Sequence, residues 1–312
     1  MSSLLLAHPD REKPRTALAA ARSQAGVTAL FGAAAALAWW WTAERMAGMD
    51  AGPGTPLGTL GWFTGVWVVM MAAMMLPSLA PTAAARASST RAAAVPSTSS
   101  GTARAAAGGL GHAVLFAVGY LLVWTAVGVT VYAVFAIASD LLAAQLAWNT
   151  AGRWVAGGVV ALAAAYELTP LKAACLARCG SPRAFAPPAP REGSTGALLA
   201  GAHNGCWCLG CSGALMAALF ALGAMSLIWM ALLAGLIALE KLAPLPWQRA
   251  AVALTSVLLL ALAIAMLAAP RDVPGLVVPG GPMHRMGAPA PTHTMHTMGS
   301  LTHMTAVPMH SH

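Results

Sequence analysis

The feature that most constrains this chain is a long apolar run of membrane-crossing length, met seven times between residues 24 and 269. A helix needs about 20 such residues to span the hydrocarbon core of a bilayer. The runs lie at 24–43, 60–80, 112–136, 151–169, 204–222, 225–243 and 249–269. Composition closes the other routes. Hydrophobic residues are 58% of the 312 and charged residues only 8%, against roughly 45–50% and about 25% in a soluble globular protein. So few charges leave no polar coat for a water-soluble particle of this size, and disordered chains are poor in apolar residues rather than rich in them. The sequence therefore predicts an all-α, polytopic transmembrane helical bundle of about seven spans. Six is the alternative, if 204–222 is re-entrant.

The first run is not a cleavable signal peptide. It starts late, runs long, and ends in Trp39-Trp40-Trp41 rather than at a small-residue site; the tryptophans read as an interfacial belt. The fourth run is short and ends at Thr169-Pro170. The net charge of +8 does not point to nucleic acid, because the basic residues form no long run and have no aromatic platform. They point to orientation. With the N-terminus inside, the inner segments carry Arg11, Lys13, Arg15, Arg22, Arg86, Arg91, Arg104, Lys172, Arg178, Arg183, Arg191, Lys241 and Arg249. The outer side holds only Arg45, Arg153, Arg271 and Arg285. This bias fits a bacterial inner-membrane protein with a cytosolic N-terminus and an external C-terminus.

Three regions follow: a cytosolic N-terminal segment (1–23), a helical metal-binding domain (24–270) and a Met/His-rich tail (271–312) expected to be disordered. Within the second, residues 83–109 read as a low-complexity loop without a buried face, and 180–195, with Pro182, Pro187, Pro188 and Pro190, as a semi-rigid linker.

All five cysteines fall between positions 175 and 211. Cys175 and Cys179 share a face if their stretch is helical. Cys206, Cys208 and Cys211 follow His203. On an ideal helix His203, Cys206 and Cys211 lie to one side with Cys208 pointing away, unless Gly205, Gly210 and Gly213 break the helix and let all four converge. Clustered thiolates with a histidine suit soft or borderline metals, Cu(I) first and zinc second, and an odd number argues against a purely structural disulfide set. Met70, Met71, Met74 and Met75 occupy one face of the second run. In the seven-span arrangement Met74, Met75, Cys175, Cys179 and the His203–Cys211 block all reach the inner leaflet. Glu167 and Glu240 sit at inner helix ends, with Lys172 and Lys241 as interfacial partners. The tail adds Met283, His284, Met286, His293, Met295, His296, Met298, His303, Met304, Met309, His310 and His312, thioether and imidazole donors suited to labile copper sites.

These stretches resemble one known family. The resemblance rests on Trp67, Met70, Ala73-Met74-Met75-Leu76-Pro77, Gly119-Tyr120, Trp124, Tyr166-Glu167-Leu168-Thr169-Pro170-Leu171-Lys172, Cys175, Cys179 and Ser181-Pro182. It continues through His203-Asn204-Gly205, Cys206-Trp207-Cys208-Leu209-Gly210-Cys211, Leu215-Met216, Gly223, Met225, Trp229-Met230 and Glu240-Lys241. The pattern is similar to that of the bacterial predicted metal-binding integral membrane proteins, which include the membrane copper chaperone of polyphenol oxidase (tyrosinase). It covers residues 60–243 and leaves both tails to chemistry alone. The resemblance implies copper binding, with Met74, Met75, Cys175, Cys179, His203, Cys206, Cys208 and Cys211 as ligands. The departure that matters is Ser212, which stands where the family usually has a second cysteine after Cys211; Trp207 and Gly180 also stand where the family often has Tyr and Arg.

The expectation is a non-enzymatic copper chaperone that hands its metal to a client such as a tyrosinase-like oxidase. The alternatives are a membrane thiol–disulfide oxidoreductase, for which Cys208-Leu209-Gly210-Cys211 has the spacing, or a metal transporter.

Overall fold

The computed structural model describes residues 12–46, 58–93, 99–142, 152–179, 193–223 and 226–269. Among these the chain is all helix: α1 (Glu12–Met46), α2 (Leu60–Ala93), α3 (Ser99–Leu142), α4 (Arg153–Glu167), α5 (Pro170–Cys179), α6 (Ser194–Leu222), α7 (Leu227–Leu242) and α8 (Leu245–Ala268). Each of the seven apolar runs carries a helix. Five helices contain stretches long and apolar enough to cross a membrane: Gln24–Met46, Leu60–Ser88, Gly109–Ile137, Ser194–Leu222 and Leu245–Ala268. A sixth arises if α4 and α5, bent by 70° at their junction, count as one broken span. With 16 residues, α7 rises only about 24 Å, short of a bilayer core of about 30 Å.

The irregular elements are therefore not where the sequence reading put one. Residues 204–222 are not re-entrant; they are the larger part of the unbroken 29-residue α6. The break lies instead at Leu168-Thr169. Leu168 and Thr169 turn back to the carbonyls of Ala165 and Tyr166, and Thr169 Oγ1 accepts from the Lys172 amide at 3.3 Å. Thr169 thus caps a new helix whose first residue is Pro170, a position where the missing amide proton costs nothing. Thr169-Pro170 ends one helix and starts the next.

Helices α1, α2 and α3 pack in sequence, α6 lies against α3, α4 and α5, α8 against α4, and α7 against α2, α6 and α8. The α3–α6 crossing brings backbone onto backbone. A Cβ at Gly201 would overlap the Phe116 carbonyl, and one at Gly119 the Leu198 carbonyl. The α2–α3 contact corrects the loop assignment for 83–109. α2 runs to Ala93 and α3 starts at Ser99. Ala83, Ala84 and Ala87 are buried, and a Cβ at Gly109 would lie 3.1 Å from the Ala87 carbonyl oxygen. Alanine and glycine read as low complexity because they bury little area each, yet their small size is what lets two helices approach closely. Aromatic packing ties the other ends of α2, α3 and α6 together. Trp67 Nε1 donates to the Trp124 carbonyl at 2.7 Å, and its ring stacks on Phe63 and Phe220.

Candidate metal centre

Three of the five cysteines converge. Cys179 ends α5, and Cys208 and Cys211 lie one turn apart on α6. Their Sγ atoms all fall within 4.8 Å of one another, and the residues are 6%, 0% and 1% exposed. Three sulfurs bound to one ion at about 2.3 Å would stand roughly 4 Å apart, so the set needs only a small contraction to become a trigonal thiolate site. Soft, dry and carboxylate-free, it matches copper or zinc.

Gly210 explains how α5 reaches α6. A Cβ there would come within 2.6 Å of Cys175 Sγ. Tyr166 of α4 also donates to the Gly210 carbonyl at 2.7 Å. The glycine between Cys208 and Cys211 is therefore the seat on which the α4–α5 corner rests, and that seating brings Cys179 to its partners. Cys175 is buried in this contact and lies outside the converging set.

Around the thiols stand groups from three further positions. Tyr120 Oη of α3 is 2.7 Å from Cys208 Sγ. Lys241 Nζ of α7 donates to Cys208 Sγ at 3.0 Å and reaches Met75 Sδ of α2 at 3.7 Å. Ser212 Oγ lies 3.5 Å from Cys211 Sγ and 3.8 Å from Cys208 Sγ, so the hydroxyl at the departing family position sits beside the cluster. Met74 and Met75 are both buried in the core, and it is Met75 that approaches the site.

The other ligand candidates are elsewhere. Cys206 and His203 are exposed on the opposite flank of α6. There Trp207 Nε1 donates to His203 Nε2 at 3.2 Å, and the Arg178 guanidinium lies 4.5 Å from the Trp207 ring centroid. This reverses the helical-face reading that grouped Cys211 with His203 and Cys206 and turned Cys208 away. Successive helical positions differ by about 100°, so Cys211 lies nearer Cys208 than Cys206 does. The face turned inward is set by Gly201 and Gly205 against α3, which continues through Cys208 and Ser212 to Leu215. The twelve tail candidates from Met283 to His312 lie outside the described residues.

A second polar cluster adjoins the first. Lys172 is fully buried and ion-pairs with both Glu167 Oε2 and Glu240 Oε2, the latter at 2.7 Å. Lys172 therefore partners Glu167 as expected, though fully buried and shared with Glu240, and Lys241 does not pair with Glu240. Adjacent residues on a helix point about 100° apart, so Glu240 faces Lys172 while Lys241 faces the sulfurs. That offset was the available signal for Lys241; Tyr120 stood in the family pattern without a role.

An all-helical bundle with five or six segments long and apolar enough to cross a membrane, holding a buried three-thiol cluster that could hold a metal, defines the class: a helical bundle with a candidate thiolate metal site. The family is narrower. The chain belongs to the PpoB2 copper chaperone family, whose model matches residues 64–266. No curated protein and no solved structure matches it.

Proposed function

We propose that this chain is an integral membrane protein that holds Cu(I) on Cys179, Cys208 and Cys211 and passes it to a client enzyme, without catalysis of its own. The observation that carries the reading is the convergence of three buried thiols from two separate helices in a chain of a copper chaperone family. Trigonal thiolate coordination favours the cuprous ion, with zinc as the competing occupant. The basic-residue bias supports a bacterial inner-membrane setting with the cysteine cluster toward the cytosol, and with residues 271–312 outside when the α4–α5 pair and the short α7 each count as a crossing, seven in all. There the tail's methionines and histidines would collect copper, and a copper-dependent oxidase of the tyrosinase type is the client the family suggests.

Thiol–disulfide exchange is the less favoured reading. Exchange requires a partially exposed thiolate that a partner disulfide can approach, whereas Cys208 and Cys211 are 0% and 1% exposed. The test is metal analysis of purified protein with and without residues 271–312. The shortened protein should retain thiol-bound copper, with only labile extra copper lost. A copper-free shortened protein carrying a reducible Cys208–Cys211 disulfide would reverse the choice.

A further inference from the structure

The chain has only three lysines, Lys13, Lys172 and Lys241, and two of them are held in opposite ways. Lys172 has two carboxylates. Lys241 Nζ has sulfur: it donates to Cys208 Sγ at 3.0 Å and contacts Met75 Sδ at 3.7 Å. Among the described residues no carboxylate oxygen lies within ion-pair distance of it. Lys241 is half-buried; an ammonium partly withdrawn from water gains from a counter-charge, and the anionic chemistry within its reach is that of Cys208. It stands between a thiolate donor of the metal cluster and a thioether outside it, where a soft cation bridging the two would lie.

A cuprous ion carries the same single charge as an ammonium. We infer that Lys241 is a resident counter-cation of the thiol cluster, displaced when Cu(I) enters and returned when it leaves. This rests on the reading that Cys179, Cys208 and Cys211 hold copper. In the exchange Cys208 Sγ loses the N–H···S hydrogen bond and gains a Cu–S bond. The lysine keeps its protons and turns away, and copper stays cuprous. Any proton on Cys179 or Cys211 passes to solvent as that sulfur becomes a ligand. Loading therefore swaps one cation for another at Cys208. It also frees Met75 Sδ, a poor acceptor for an ammonium but a good donor to Cu(I).

The test labels the full chain in detergent with an amine-acylating reagent, before and after anaerobic Cu(I) loading, and reads each lysine by peptide mass spectrometry. Lys13 serves as the internal standard. Copper should raise acylation of Lys241 severalfold and leave Lys172 unchanged. Thiol-bound copper with unaltered Lys241 labelling would overturn the exchange while leaving the copper site standing; absence of thiol-bound copper would overturn both. Lys241→Leu, or Lys241→Gln if the first does not fold, adds no sulfur ligand and should keep its copper per chain but surrender it to bicinchoninate severalfold more slowly, because no cation returns to displace it. A variant that releases copper as fast as the parent, or faster, would contradict the proposal, and a merely structural lysine would not slow release.

Discussion

Lys172 is the residue on which the buried charges depend. It sits fully buried between Glu167 and Glu240, so Lys172→Met would strand two carboxylates in the interior. Removing one member of a buried ion network typically costs about 3–5 kcal/mol, whereas replacing the whole set with neutral groups of similar shape is often tolerated. Lys172→Met should therefore show a large loss of thermal stability in detergent. The triple variant Glu167→Gln, Lys172→Met, Glu240→Gln should recover most of it, and a triple variant no better than the single one would contradict this account. Ser212 offers a second residue-scale prediction. Its hydroxyl is within 4 Å of two of the thiols, so Ser212→Cys should supply a fourth sulfur. Tetrahedral four-thiolate sites are characteristic of zinc, and competition loading should show the variant shifted toward zinc relative to the parent. The identity of these residues and the Glu167–Lys172 pairing were legible in the sequence, but the partners of Glu240 and Lys241 were not. Glu240-Lys241 looked like a local pair, and only the fold shows that α5 supplies the partner for Glu240 and α6 the partner for Lys241.

At the level of the helices, the glycines of α6 determine which of its faces turns inward. Gly201 lies so close to the Phe116 carbonyl that a Cβ would overlap it, while Gly158 of α4 has open space in the same position. Gly201→Ala should separate α3 from α6 at a cost of about 1–3 kcal/mol, the usual range for overpacking. Gly158→Ala should be neutral or slightly stabilising, because alanine is the better helix former. Thermal unfolding of the two variants side by side checks the pair; equal effects would mean that the crossing yields. Seven apolar runs were legible as helices because their lengths exceed what a short element could use. The α4–α5 corner was legible only as an end, since a threonine followed by proline marks a helix start as well as a stop. The packed alanines of α2 were missed because patterning weighs bulk, and this contact is made by residues that lack it.

For the molecule as a whole, the thiol cluster is assembled by long-range packing. The α4–α5 corner seats on Gly210, α3 delivers Tyr120 to Cys208, and α7 brings Lys241 against the same sulfur. The sequence displayed five cysteines within 37 residues and the chemistry they share. Which three meet depended on the direction α6 faces, and that direction is written in glycine contacts with α3 rather than in the cysteine spacing. The proposed orientation has its own check. Reporter fusions at residues 95 and 190 should give cytosolic signals and one at the C-terminus an external signal; a cytosolic C-terminus would remove the tail's role as an external collector of copper. The central claim is that Cys179, Cys208 and Cys211 form one copper site. Its most direct measurement is copper K-edge absorption spectroscopy on the Cu(I)-loaded chain lacking residues 271–312, beside its single Cys→Ser variants. The parent should show sulfur-only coordination, as a soft-thiolate cuprous site requires. Cys179→Ser, Cys208→Ser and Cys211→Ser should each lower the sulfur count or the bound copper, with Cys206→Ser indistinguishable from the parent. A spectrum dominated by nitrogen, or one sensitive to Cys206 but not to Cys179, would contradict it.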